Sequence, residues 1–527
     1  MLCGALLMGY LLTVIGCHSN MDQANEEEVV PDLSARETAE MNGAELAQIY
    51  CSSCHAFPDP DRLSKQIWAE KVLPHMAHRV GIKDSLVNPL KEFSNHERQL
   101  IEIAGIYPEQ PLVDSTTWHK IVQYYSQQAP DTLLPATNKP AVERSLPEFR
   151  LDPVSPNMTS GPLTTAIHLD TLRQQLLIAS ASNNTAAYQY RDSSSTIFQT
   201  NSPIVDVYQD DQKGAYYLQI GIMFPTQQRT GQLVYQDSLG KKTVCIDYIH
   251  RPVHASFADL NQDGLEDVVI SSYGHFTGRL SWWENKGKFQ YQEHMILNQP
   301  GALKTIILDF DQDGRPDIMS LFGQGREGVY VHLNRGHRGF ATKQILQFEP
   351  VNGSAYFELA DFEGDGDLDI LYANGDNADY SFSLKPYHGV HIFTNDGQDQ
   401  FEEAYFYPMY GAFNAKARDF DQDGDLDIAA IAFFPDYSAE EPESFVFLEN
   451  HASENGRFPS FSPKSFPDAA RGHWLILETG DLNQDGRTDI FLGAFAFSTT
   501  PVPTAYKKRW RDENIHALIL WNETDAD

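Results

Sequence analysis

The chain has 527 residues, room for two or more hydrophobic cores, and carries 39 Lys plus Arg against 73 Asp plus Glu for a formal net charge of −34. A surface this acidic repels phosphate backbones and anionic lipid, which argues against nucleic-acid binding and against holding a membrane by charge.

Residues 1–17 are apolar but too short and wrongly flanked for a spanning helix, and they end in Val14-Ile15-Gly16-Cys17. That ending looks like a bacterial lipoprotein cleavage box. Cys17 would become the lipidated first residue, so that acyl chains supply the only membrane contact. His18 after the cysteine resembles signals that send lipoproteins to the outer membrane, where the chain would face the periplasm or the outside. Residues 18–42 are polar, with Glu26, Glu27 and Glu28 in a row, and read as a disordered tether.

From 43 to 134 the pattern is helical. Leu46, Ile49 and Tyr50 form a stripe that leads into Cys51-Ser52-Ser53-Cys54-His55. Two thiols and an imidazole at that spacing are what covalent attachment of one haem c needs: the thiols add to the vinyl groups and His55 becomes the proximal iron ligand. The competing readings are half a zinc site or a redox dithiol. Zinc would want further soft ligands, yet the remaining cysteines are only Cys3, Cys17 and the isolated Cys245, and a dithiol has no need of His55. For the distal side, Val72-Leu73-Pro74-His75-Met76-Ala77-His78 offers three candidates. Met76 is the choice, since a thioether suits a soluble electron carrier, with His75 and His78 as alternatives. Ser94 and Glu97 form a capping box, and Trp118, Ile121, Val122 and Tyr125 make the face of a terminal helix.

Residues 135–160 belong to a proline-rich stretch, with Pro130, Pro135, Pro140, Pro147, Pro153, Pro156 and Pro162, and read as a semi-rigid linker. Beyond it, five acidic loops recur. Their oxygen-bearing positions are Asp259, Asn261, Asp263 and Asp267; Asp309, Asp311, Asp313 and Asp317; Asp361, Glu363, Asp365 and Asp369; Asp419, Asp421, Asp423 and Asp427; and Asp481, Asn483, Asp485 and Asp489. The first aspartates are 50, 52, 58 and 62 residues apart, one four-stranded propeller blade each. Hard oxygens at positions 1, 3, 5 and 9, with glycine at position 6, suit calcium, up to five ions in a structural role. Position 12 is Ile270, Ser320, Tyr372, Ala430 or Leu492 instead of the glutamate of an EF-hand, and strands follow directly. The bland alternative, metal-free Asx-turns, must fold several like charges together.

Each clean repeat also has Asn followed by Gly and Phe, as in Asn285, Gly287 and Phe289, a hairpin turn with a core phenylalanine. Strands near Ile167 and Val205 add two blades without acidic loops. The expected fold is a small all-α domain followed by an all-β seven-bladed propeller over 161–527, its ring closed by a strand near Phe149-Arg150-Leu151. The middle-blade insertion from Tyr372 to His388 is a recognition loop or a packed one, and His254, His275, His388 and His473 are candidate pore-lining or structural groups.

The chain resembles bacterial fusions of a single-haem cytochrome c domain with an FG-GAP (VCBS, integrin-like) propeller. The marks are Tyr50 to His55 with Pro58 and Pro60, Trp68 before Leu73-Pro74-His75-Met76, the Trp118 to Tyr125 helix, and Lys385-Pro386-Tyr387-His388-Gly389-Val390. The resemblance implies haem and calcium binding, with Met76 at the position of the family's methionine. The function expected is electron transfer with a redox partner protein, the propeller docking that partner, a glycan or a surface protein. The alternatives are a propeller dehydrogenase feeding its own haem, and adhesion, which rests on fold analogy alone.

Overall fold

The computed structural model describes residues 35–83, 87–137, 139–210, 214–378, 381–451, 458–498 and 500–524. Cys17 and the apolar leader lie outside them. The tether assigned to 18–42 is structured at its end: Ala35–Glu40 is helix α1, and Asn42 caps α2 (Gly43–Cys51) through a reciprocal box with Glu45. The Lys120 ammonium explains the order, donating to the carbonyls of Thr38, Ala39 and Met41 at 3.1, 3.0 and 2.8 Å at the end of α1.

The helical unit continues with α3 (Lys65–Ile67), a π-turn over Trp68–Val72, α4 (Leu73–Arg79), α5 (Asn95–Ile103) and α6 (Ser115–Gln128). Ser94 and Glu97 do form the capping box of α5. Helices α2 and α6 cross closely because Gly43 has no side chain. A Cβ there would stand 2.4 Å from the Lys120 carbonyl oxygen. Leu46, Tyr50, Trp68, Ile121 and Tyr125 are buried between them.

The rest is seven four-stranded antiparallel sheets. Their innermost strands run Thr164–Asp170, Ile204–Gln209, Pro252–Ala258, Ala302–Leu308, Ser354–Ala360, Ala412–Arg418 and Trp474–Gly480, and each contacts the next around a closed ring. Each is irregular in register near its start, as between Pro252 and His254 or Ala302 and Lys304. The second strands of the five acidic-loop blades, such as Asp317–Phe322 and Asp427–Ala432, are buried along their whole length, as sheets covered on both faces must be.

The seventh blade takes its outermost strand from far upstream. Phe149–Val154 pairs antiparallel with Ala517–Asn522, Phe149 opposite Asn522. The expected closing strand is therefore present, and it occupies part of the stretch assigned to the linker. The segment before it is fastened too: Glu143 exchanges backbone hydrogen bonds with Pro463 and Ser465 at 2.9 and 2.8 Å, and Arg144 pairs with Glu441 at 2.7 Å.

The acidic loops join first to second strands and so lie on one face of the wheel. The helical unit sits on the opposite face, on loops joining second to third strands and fourth strands to the next blade. Glu349, Val351 and Tyr387 meet the segment after His55, while Thr226, Gln227 and Phe276 meet α4 and α5.

Candidate functional site

The Cys51-x-x-Cys54-His55 run begins on the last residue of α2 and turns beneath α6. The Tyr125 hydroxyl donates to the Pro58 carbonyl at 2.8 Å and lies 4.0 Å from Cys51 Sγ, and the Trp68 indole N–H donates to the Pro60 carbonyl at 2.9 Å. These bonds hold the segment after the motif against the buried aromatic core. Burial pushes the Cys51 thiol up to about 11, which suppresses the thiolate that a redox dithiol would need. His55 Nδ1 is 2.8 Å from the Ala56 carbonyl oxygen. A carbonyl only accepts, so Nδ1 carries the proton and the lone pair resides on Nε2, the tautomer of a metal-ligating histidine.

Met76 on α4 packs against the same apolar cluster as Cys51. Its neighbours differ: His78 Nε2 lies 3.2 Å from the Val87 carbonyl and its ring stands edge-on to Tyr107, while burial, then the charges of His78, Arg79 and Lys71, hold His75 below the usual range. Cys51 and Met76 thus border one apolar cluster, with Cys54 and the ligand-type imidazole of His55 in the turn that follows Cys51, a donor set that fits a covalently held haem. Among the described residues, the clusters of three metal-ligand atoms are Asp309, Asp311 and Asp317, and Asp419, Asp421 and Asp423; neither includes the cysteine motif.

The five acidic loops share one internal geometry. The position-1 aspartate accepts the glycine N–H at position 6: Asp259 from Gly264 and Asp481 from Gly486 at 2.8 Å, Asp309 from Gly314 and Asp361 from Gly366 at 2.9 Å, Asp419 from Gly424 at 3.2 Å. The position-9 aspartates are almost fully buried. One oxygen of each takes the N–H of the third-strand asparagine: Asp267 from Asn285 at 2.8 Å, Asp317 from Asn334 at 2.6 Å, Asp369 from Asn395 at 3.0 Å, Asp427 from Asn450 at 2.8 Å, Asp489 from Asn522 at 2.9 Å. That pairing was not read from the sequence, although both residues recur in every acidic-loop blade. The phenylalanine after the turn is not uniformly core: Phe289 is 39% exposed, whereas Phe340 and Phe401 pack on blade cores.

The loops differ in charge balance. Asp313 is paired with Arg315, Asp311 with Arg335 at 2.9 Å, and Asp485 with Arg487 at 2.7 Å. Among the described residues, the loop at 419 has no such cation. Asp419 Oδ1 and both Asp425 oxygens are buried without a hydrogen-bond partner; burial and neighbouring carboxylates push Asp425 up to about 6, and burial, with Asp421, pushes Asp427 up to about 8. Orphaned carboxylate oxygens around Asp419, Asp421 and Asp423 are a donor set that fits a hard divalent cation. The loop at 361 likewise crowds Asp361, Glu363 and Asp365, and Glu363 is raised by burial, then by its neighbours.

The central channel holds a third polar group. Lys304 Nζ is 2.5 Å from the Tyr356 hydroxyl, Lys416 pairs with Glu478 at 3.0 Å and Arg418 with Glu358 at 3.1 Å. A cavity of 310 Å³ beside them is lined by His168, Asp206, Glu478 and Thr479. His254 lies in this wall, its Nδ1 accepting the Thr305 N–H at 3.3 Å. The other candidate histidines are packed groups: His473 stacks on Trp510 and Phe433, the His275 ring lies tilted 4.4 Å from that of Phe276, and His388 is 1% exposed. Within the Tyr372 to His388 insertion, Lys385 is 1% exposed and Tyr387 is turned to the helical unit, while Phe382 and Leu384 are exposed.

A model of the FG-GAP-like repeat matches residues 259–320 and 309–372. No curated protein matches. Among solved structures, the RRP9 WD40 repeats align at 11% identity over 73% of this chain and 98% of that one, TM-score 0.41. The Neurospora crassa Pan2 WD40 domain aligns at 11% identity with the same coverage, TM-score 0.43. With the repeat match and the sheet topology together, the chain carries FG-GAP-like repeats on a seven-bladed β-propeller.

Proposed function

We propose that the protein is a lipid-anchored, extracytoplasmic single-haem c-type cytochrome whose propeller, stiffened by calcium, docks a redox partner. The observation that carries this reading is the Cys51-x-x-Cys54-His55 run against an apolar cluster shared with Met76, with the His55 tautomer set by Ala56. Bound there, the iron porphyrin would supply one-electron exchange. Cys51 and Cys54 would fix it covalently, His55 and Met76 would be its axial ligands, and Trp68, Leu73 and Tyr125 would keep water from it. Calcium would be held by the acidic loops, up to five ions, and the anchor would be Cys17.

A second reading, a propeller dehydrogenase feeding its own haem, is favoured by the channel cavity and its lysines. The test of the first is the full chain exported with haem-attachment machinery. Its mass and spectrum should report one covalent haem, lost in the Cys51→Ser/Cys54→Ser variant. Colourless, porphyrin-free protein would refute the cytochrome reading, and reduction of the haem by an added small substrate would replace it with the dehydrogenase.

A further inference from the structure

The helical unit does not complete its own core. Val351 is 7% exposed within the apolar cluster that contains Trp68 and Tyr125 and against which Cys51 and Met76 pack, and Tyr387 packs on it as well, yet both residues belong to the propeller. Their polar contacts fall on the segment that follows His55. Glu349 accepts the Asp59 N–H at 3.1 Å and the Arg62 guanidinium at 2.6 and 2.7 Å, and the Tyr387 hydroxyl is shared between the carbonyls of Arg62 at 3.1 Å and Val351 at 3.4 Å. The Arg62 guanidinium also lies over the Tyr387 ring, 5.1 Å from its centre.

The distal side is gripped too. Arg79, three residues after Met76, lies 4.9 Å from the centre of the Phe276 ring. Glu97 of α5 accepts the Thr226 hydroxyl at 2.6 Å and the Gln227 N–H at 3.1 Å. Two segments that would flank a haem, one after the proximal histidine and one carrying the distal methionine, are therefore both held by loops of the propeller.

We propose that the propeller is a wall of the haem crevice, with Tyr387 and Glu349 as positioning residues that hold residues 56–63 against the proximal side and shield the haem from water. This rests on the cytochrome reading. Haem potential depends on how far water reaches the iron's charge and on the geometry of the axial ligands. A gap at Tyr387 would hydrate the crevice, stabilise the ferric state and lower the potential, although no residue of the propeller would touch the iron.

The experiment uses the full chain matured with haem, comparing wild type with Tyr387→Phe, Tyr387→Ala and Glu349→Gln, and with Glu443→Gln, which breaks a contact between the connector and blade six. Covalent haem is counted by mass, methionine ligation is read from the red absorption band of the ferric form, and the potential from a redox titration. Haem content should be unchanged throughout. Tyr387→Ala should raise the oxidised-to-reduced ratio at fixed poise about threefold or more and weaken the methionine band, Tyr387→Phe and Glu349→Gln should do so less, and Glu443→Gln not at all. Should Tyr387→Ala fail to fold, the two milder variants decide. Wild-type potential and band in every variant that folds would overturn the proposal while leaving the cytochrome reading intact; absence of covalent haem from wild type would instead end that reading.

Discussion

Lys304 is an expensive residue to keep. Its ammonium faces the channel against the Tyr356 ring, 3.8 Å from the ring centre, and no carboxylate lies in contact with it among the described ion pairs. Burial, then the charge of Lys416, push it down from 10.5 to about 7. The unfolded chain thus binds the proton more tightly, the penalty is complete below pH 7, and stability should rise with pH between 7 and 10.5 as the unfolded lysine also loses its proton. At about 1.4 kcal/mol per unit, discounted because the side chain keeps some access to the channel, Lys304→Met should stabilise the chain by about 1–3 kcal/mol near neutrality. Urea unfolding at pH 7 and at pH 10 measures this. A Lys304→Met variant no more stable than wild type at pH 7 would show that water already solvates the ammonium. A lysine retained at such cost marks the channel wall as worth probing with ligands. Nothing in the sequence set Lys304 apart from other lysines, because its neighbours Tyr356 and Lys416 lie one and two blades away, whereas Cys51, Cys54 and His55 were legible as a motif because their chemistry is fixed within five consecutive residues.

The blade, as an element, was legible for a related reason. Its acidic loop places four oxygen-bearing residues at fixed local spacing, and the repeat distance of 50 to 62 residues is that of four strands. The link from each position-9 aspartate to a third-strand asparagine was not, since it spans 17 residues between Asp317 and Asn334 but 33 between Asp489 and Asn522, with no constant offset to notice. The five loops also divide by what balances their charge. Those at 309 and 481 hold an internal arginine; those at 259, 361 and 419 do not, and of these only 361 and 419 carry acids at all of positions 1, 3, 5 and 9, where the loop at 259 has Asn261. Calcium should therefore fill the loops at 361 and 419 first. Titration calorimetry of chelator-treated protein should show Asp421→Ala removing a tight site, and Asp481→Ala leaving the tight phase unchanged. Chelation should lower the unfolding temperature of wild type more than that of Asp421→Ala, since only a bound ion stabilises the folded state by mass action. Equal responses in the two variants would mean that the arginines do not discriminate.

At the scale of the whole molecule, the order of the chain and the closure of the ring are coupled. Among the described residues the last blade takes its outer strand from upstream, so Ala517–Asn522 would present an open edge if Phe149–Val154 were missing. Closure buries Phe149 among Phe420 and Phe447 of blade six, and Trp521 donates to Asp152 at 3.2 Å. The connector before it is bonded along blade six through Glu143, Arg144 and the Lys139–Glu443 pair. Proline content suggested a semi-rigid linker, but prolines also suit an outer strand whose solvent-facing edge needs no N–H donors, as Pro153 shows. A chain beginning at residue 139 should then keep a cooperative propeller transition, while one beginning at 160, the boundary composition alone would choose, should lose several kcal/mol of buried apolar contact and unfold at a lower temperature or aggregate through the bared edge. Thermal unfolding followed by circular dichroism, with light scattering for association, separates the two. Equal transitions in both chains would mean that blades one to six and three strands of the seventh suffice, and that the upstream strand matters only for carrying the helical unit to its seat over blades two to five.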